Sequence, residues 1–215
     1  MILTRVIREL AASRRKQDES GQRRVLNVGG NSKAIPIPAY YDGWDHVLLD
    51  IDPAGNPDIV CDARELSSLE GSIFDAIYCS HNLEHYYKHD GRKVLAGFLH
   101  LLKDDGFADI RVPDIAEVMR RCVVDQLDLE DKLYESPAGP MTPRDVIYGW
   151  GAQIERSGVD FFAHKTGFTA KSLTGVLEGA GFAGVYVMER KEACELAALA
   201  FKAPPNEWQR ETFGL

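Results

Sequence analysis

Four short stretches of the sequence hold most of the residues able to do chemistry, and each follows an apolar run. Val25-Leu26-Asn27-Val28-Gly29-Gly30-Asn31-Ser32-Lys33 ends its run in paired glycines, which let a backbone approach a ligand closely and take dihedrals other residues avoid. Leu49-Asp50-Ile51-Asp52 places a carboxylate where both hydroxyls of a ribose can be accepted. Val60-Cys61-Asp62-Ala63 offers a second carboxylate, suited to an exocyclic amine. Cys79-Ser80-His81-Asn82-Leu83-Glu84-His85 crowds a hydroxyl, two imidazoles and a carboxylate together. A single Asp in such a position is more often a helix cap or turn residue. Their occurrence after successive apolar runs is what points to one shared ligand-binding edge.

The elements that must position these residues follow from the hydrophobic pattern. Val25–Val28, His46–Ile51, Asp58–Cys61, Phe74–Cys79 and Phe107–Val112 read as strands, with a helix over Leu83–Leu102 broken by Lys103-Asp104-Asp105-Gly106. Apolar strands alternating with helical stretches make an α/β fold, a mostly parallel sheet with helices on both faces. Pro36 and Pro38 leave the first crossover helix short or absent. Residues 114–165 break the rhythm. They predict a helical piece at Ile115–Leu133, a Pro/Gly-rich loop from Ser136 to Pro140 and a second helical piece around Val146–Ser157. Such an insertion after the fifth strand is expected to serve as a lid or substrate-binding element. A helix over Thr169–Ala180, capped by Thr169 and closed by Gly181, precedes two final strands, Gly184–Met188 and Glu195–Lys202, whose short connection makes them antiparallel. Residues 1–23 are expected to be a helix and linker, with Leu3, Val6, Ile7 and Leu10 on one face, and residues 24–215 a single domain.

Composition narrows the function classes. A net charge of −8 argues against broad attraction to nucleic acid or anionic membrane. Cys61, Cys79, Cys122 and Cys194 are scattered, with no CxxC pair, as in a reducing compartment. No apolar run is long enough to span a bilayer, and the N-terminal run is interrupted by charge, so a cytoplasmic protein is expected.

The run from Val25 to Asp114 resembles the class I methyltransferases that use S-adenosylmethionine (SAM), in the subgroup whose fourth strand ends near S-H-x-L-E-H and which carries a later V-P-D. Here these are Ser80-His81-Asn82-Leu83-Glu84-His85 and Val112-Pro113-Asp114. His164-Lys165-Thr166-Gly167-Phe168 and Leu177-Glu178-Gly179-Ala180-Gly181-Phe182 are similar to its C-terminal segment. The resemblance implies a Rossmann-like seven-stranded sheet with a reversed last strand, and SAM lying across the first, second and fourth strand ends. On it, Gly29, Gly30 and Asn31 would border the methionine part, Asp50 the ribose and Ile51 the adenine. Asp62 and Ala63 would edge the base, and Ser80 and His81 would floor the methyl-transfer side. The first motif departs from the family: Asn27, Gly29, Asn31 and Lys33 stand where it has an acid and three glycines. Asn31 can still make the turn, because Asn tolerates left-handed dihedrals.

The implied activity is methyl transfer to a small-molecule or sugar-containing acceptor, in an enzyme that could form a homodimer. A base for the acceptor would be His81, His164 or Asp114, although alignment alone can suffice. A scaffold protein that has lost catalysis is the alternative, motivated by the altered first motif. A nicotinamide-dependent dehydrogenase would use Asp50 equally well but lacks a G-x-G-x-x-G run. A zinc hydrolase is raised by His81-Asn82-Leu83-Glu84-His85, which matches the H-x-x-E-H pattern, with His89 continuing the stripe. That motif directly follows a buried strand, which puts His81 in a turn, so no metal is expected there.

Overall fold

The apolar runs pair into one seven-stranded sheet. Its strands are β1 (Arg24–Val28), β2 (Asp45–Asp50), β3 (Ile59–Val60), β4 (Phe74–Ser80), β5 (Leu102–Pro113), β8 (Gly184–Arg190) and β9 (Glu195–Phe201), while β6 (Tyr134–Ser136) and β7 (Gly139–Met141) form a separate hairpin. The computed structural model describes residues 21–136 and 139–215, so the expected N-terminal helix lies outside the described residues. Spatial order is β3-β2-β1-β4-β5-β9-β8. The pairings from β3 to β5 are parallel, and β9 runs antiparallel to both neighbours, as expected of a reversed last strand. The chain starts in the middle, winds out to β3, then returns to place β4 beside β1. That reversal opens a crevice at the carboxyl ends of β1 and β4, where sheets of this kind bind ligands.

The strands alternate between two cores, apart from an irregularity at Phe74 of β4. Leu26, Val28, Ile77, Cys79, Ala108, Ile110, Ala198 and Ala200 face one side, and Val25, Ala76, Tyr78, Phe107 and Phe201 the other. Among the described residues six helices follow in chain order: α1 (Lys88–Leu101), α2 (Ile115–Val124), α3 (Pro143–Tyr148), α4 (Gly151–Ser157), α5 (Ala170–Ala180) and α6 (Glu207–Phe213). The first face is covered by α1 through Val94, Leu95, Phe98 and Leu101 and by α5 through Leu173 and Leu177. Among the described residues the second face is covered by the 3-10 turn Ala39–Tyr41, Trp44, and Trp208 and Phe213 of α6.

Several expected boundaries move. The helix anticipated from Leu83 begins at Lys88, because Leu83–His85 is a separate 3-10 turn followed by an extended Tyr86. The helix expected to reach Leu133 stops at Val124, two residues before Gln126 adopts φ 54°. The Pro/Gly-rich loop joins β6 and β7. Helices α3 and α4 replace one expected helix, divided by Gly149 at φ 94°. The chain does not finish on strands: α6 follows, opened by a reciprocal cap between Asn206 and Gln209, with the Gln209 amide donating to the Asp105 carbonyl. Between β1 and β2 the described residues hold no α-helix, as Pro36 and Pro38 require. Thr169 and Gly181 bound α5 as expected. Residues of the insertion build a small core of their own from Val118, Leu133 and Val146, docked on Cys194.

Helix α2 carries a pH-sensitive brace. Glu117 is buried, and Arg120 and Arg121 donate to its carboxylate at 2.6–3.0 Å. These bonds, Arg120's foremost, hold its carboxyl down at about 2 against an ordinary value of 4.5. A depressed carboxyl contributes stability that is present above its unfolded value and lost as pH falls through its folded value. The melting-temperature gap between wild type and Glu117→Gln is therefore expected to be widest at neutral pH and to close between about pH 4.5 and about pH 2. A gap that stays constant into acid would show that packing, not charge, is what the substitution removes.

Candidate functional site

The crevice at the β1/β4 reversal is a cavity of about 580 Å³, within the range of small-molecule sites. The end of β1 opens it. Gly29 sits at φ 73°, and a Cβ there would lie 2.2 Å from the Asn82 amide nitrogen, so glycine is required on both counts. Asn31 follows in the left-handed region at φ 58°, making the turn the altered motif has to make. Lys33 points away and pairs with Asp58 at 2.6 Å. At the end of β2 the Asp50 carboxylate is fixed by two backbone amides, Asn31 at 2.9 Å and Asp52 at 2.9 Å. Each oxygen keeps acceptor capacity for a further donor. Ile51 beside it is 39% exposed, an apolar side chain held out on the crevice floor.

Asp62 caps the 3-10 turn Ala63–Ser68 and takes the Arg64 guanidinium at 2.6 Å. Burial works against its charge, but the Arg64 bonds prevail and hold its carboxyl below the usual range. His81 occupies the end of β4 at φ 49°, its amide donating to the Arg111 carbonyl. Its Nε2 meets Glu195 at 3.0 Å and its Nδ1 lies 3.6 Å from Glu84. Burial opposes its charge, yet the Glu195 hydrogen bond and the Glu84 charge overcome it and raise its pKa well above the ordinary imidazole value. So held, the ring favours its charged form, with both nitrogens turned to carboxylates.

Six of the residues singled out in the sequence thus meet in the cavity: Gly29, Asn31, Asp50, Ile51, Asp62 and His81. Five do not line it. Gly30 packs over the Asn27 side chain, Ala63 is buried in the first core, and Ser80 faces the other side of the sheet beside Tyr78. Asp114 is used as the N-cap of α2, accepting from the Ala116 and Glu117 amides. His164 stands behind His85, ring centroids 4.8 Å apart. The residues not foreseen as lining include Asn82, Arg64, Tyr86, Tyr87 and Asp90, with Asp52, His85 and His89, and, from the insertion, Asp160, Phe161, Phe162 and Lys165. Asn82 was visible inside the S-H-x-L-E-H run, whereas nothing local marks Asp160–Phe162, which reaches the crevice only through the packing of the insertion. A larger cavity of about 950 Å³ lies between α1 and α5, where Gly91, Gly175 and Gly179 leave the helices apart, away from the ends of β1 and β2.

No protein-family model matches the sequence, and no curated protein does. Solved structures do match the fold. A SAM-dependent methyltransferase from Archaeoglobus fulgidus superposes with a TM-score of 0.52 at 17% identity, over 90% of this chain and 94% of that one. A second from Methanosarcina mazei gives 0.51 at 16% identity, over 85% and 93%. The CurJ carbon methyltransferase gives 0.51 at 13% identity, over 85% of this chain and 49% of that one. With its 3-2-1-4-5-9-8 sheet and reversed final strand, this chain has the class I SAM-dependent methyltransferase fold.

Proposed function

We propose that this protein is a SAM-dependent methyltransferase acting on a small-molecule acceptor, with sugar-containing molecules the first class to screen. The observation that carries the reading is the Asp50 carboxylate, fixed by the Asn31 and Asp52 amides beside the open turn at Gly29, at the point where strand order reverses. Gly29 and Asn31 would border the methionine part of SAM, Asp50 would accept the ribose hydroxyls, Ile51 would lie against the adenine and Asp62 at its edge. Bound there, SAM supplies an electrophilic methyl group on a sulfonium. The cavity suits a cationic ligand: Asp50, Asp52, Asp62, Asp90 and Asp160 face it, against Arg64 and Lys165 as permanent cations.

The same features count against a nicotinamide dinucleotide. Its pyrophosphate needs a helix N-terminus after β1, and the chain has only a 3-10 turn at Ala39–Tyr41 there. The acceptor would enter from the insertion side, between His81, His85, Phe161, Phe162 and Lys165. His81, tied to Glu195, would form the wall of the methyl-transfer side, leaving rate enhancement to alignment. Residues 114–165 would act as the lid.

Titration calorimetry with SAM, S-adenosylhomocysteine and NAD+ tests this. Micromolar binding of the first two, about −8 kcal/mol, with none of the third, is the expected result. A folded chain that binds neither SAM nor S-adenosylhomocysteine would leave the scaffold reading in possession.

A further inference from the structure

We propose that Glu84, His85 and His164 form a site for one divalent transition-metal cation of the zinc class, at the acceptor end of the cavity. One potential ligand atom from each lies within 4.8 Å of the others. These residues are not the stripe that the H-x-x-E-H pattern suggests. His81 is turned to Glu195, and His89 is largely exposed and sits against Asp90 at 3.4 Å. The fold gathers a different trio, two members from the 3-10 turn after β4 and one from the segment leaving the insertion.

Hydrogen bonding fixes both rings in the ligating tautomer. The Nδ1 of His85 lies 3.1 Å from the Ala163 carbonyl and that of His164 2.9 Å from the Val146 carbonyl. A carbonyl can only accept, so each Nδ1 carries the hydrogen and each Nε2 keeps its lone pair. Histidines that hold metals are oriented in this way by a backbone carbonyl on the other nitrogen.

The third member is a buried carboxylate that accepts no hydrogen bond and is paired only at longer range with imidazoles. Glu84 is 1% exposed, and neither of its oxygens has a hydrogen-bond partner. Its nearest cationic or imidazole atoms are His81 Nδ1 at 3.6 Å and His164 Nε2 at 3.9 Å, beyond hydrogen-bonding reach. A buried carboxylate without a hydrogen-bond donor is costly; the His81 pairing offsets part of that cost, and a cation among these three groups offsets more. The scaffold around them is firm. The Glu84 carbonyl accepts from the amides of Lys165 at 2.8 Å and Thr166 at 3.1 Å, and the His164 amide donates to the Tyr148 carbonyl at 3.0 Å.

Two imidazole nitrogens and one carboxylate oxygen match the zinc donor set, whose bonds of ~2.0–2.2 Å at tetrahedral angles put ligand atoms about 3.3–3.5 Å apart. The three ligand atoms, all within 4.8 Å of one another, would have to draw together by about an ångström on binding. Three protein ligands leave a fourth position, the hallmark of a site that takes water or substrate. His85 lines the cavity, so that position would be reached from the acceptor side. Only its use by an acceptor rests on the methyltransferase reading; metal binding does not.

The test is titration of the tag-free, chelator-stripped full chain with Co2+, followed by its visible d–d absorption, with Zn2+ as competitor. Expected is one equivalent of Co2+ in a tetrahedral spectrum, displaced by Zn2+. His164→Ala and Glu84→Gln should weaken it by on the order of a hundredfold or more, and His89→Ala should leave it intact. Circular dichroism checks each variant. Should Glu84→Gln fail to fold, His85→Ala, at a half-buried position, carries the test. A folded wild type without Co2+ absorption, or absorption that survives in His164→Ala and His85→Ala, would overturn the site. SAM affinity measured on the stripped protein keeps the two proposals apart.

Discussion

Asp50→Ala should abolish measurable SAM binding in calorimetry while leaving a folded chain. A charged acceptor contributes about 1.5–3 kcal/mol per hydrogen bond, so losing two ribose hydroxyls costs roughly 3–6 kcal/mol. That is a hundredfold to about ten-thousandfold in Kd, at tenfold per 1.4 kcal/mol, enough to carry a micromolar affinity out of range. The substitution does more than remove a contact. Asp50 also holds the amides of Asn31 and Asp52, so its loss slackens the turn after β1 and the start of the next 3-10 turn together. Asp50→Asn separates the effects, since it keeps one oxygen acceptor without the charge. Its affinity should fall between those of wild type and Asp50→Ala, with a melting temperature lowered by the one backbone amide that its NH2 group cannot accept from. Wild-type affinity in a folded Asp50→Ala variant would remove the ribose assignment.

How much of this was legible beforehand depends on whether the cause was local. The sheet was, because parallel strands buried on both faces read as continuous apolar runs. Its reversed last strand was too, because a connection of only a few residues cannot make a parallel pair. Gly29, Asp50 and Asp62 were legible as strand-end residues, since a sheet brings the ends of neighbouring strands together whatever the helices do. The stretch from Leu83 to Tyr87 was not read correctly. Its helical spacing suggested a continuous helix, but His81 at φ 49° and the extended Tyr86 divide the run into a turn and a later helix. Asp114 looked like a reactive carboxylate, while its place just before an amphipathic stretch made it a cap. His164 could be seen as reaching inward. Its meeting with Glu84 depends on backbone bonds from Lys165 and Thr166 across about eighty residues of chain, which no local pattern encodes. Helix α6 went unforeseen because its seven residues are too few to show a period.

Phe107→Ala is expected to be the most damaging single core substitution on the second face of the sheet. Phe107 is 1% exposed, and its ring meets Tyr41, Trp44, Phe201, Trp208 and Phe213 at centroid distances of 5.1–6.5 Å. Truncating a buried Phe costs about 3–5 kcal/mol, a large share of the roughly 5–15 kcal/mol that stabilises a domain. At about 2–4 °C per kcal/mol for a chain of this size, the melting temperature should fall by roughly 6–20 °C. Phe107→Leu retains most of the volume and should lose well under half as much. The damage should also be directional. The first face rests on the long helices α1 and α5, whereas among the described residues the second is covered by one 3-10 turn and by α6, both in contact with the same ring. Tryptic cleavage after Arg210, inside α6, should therefore accelerate in Phe107→Ala well below its melting temperature, ahead of any cut in α1. Cleavage that speeds up equally in both helices would mean the whole domain opens at once, and that Phe107 holds no more of the second face than its own volume.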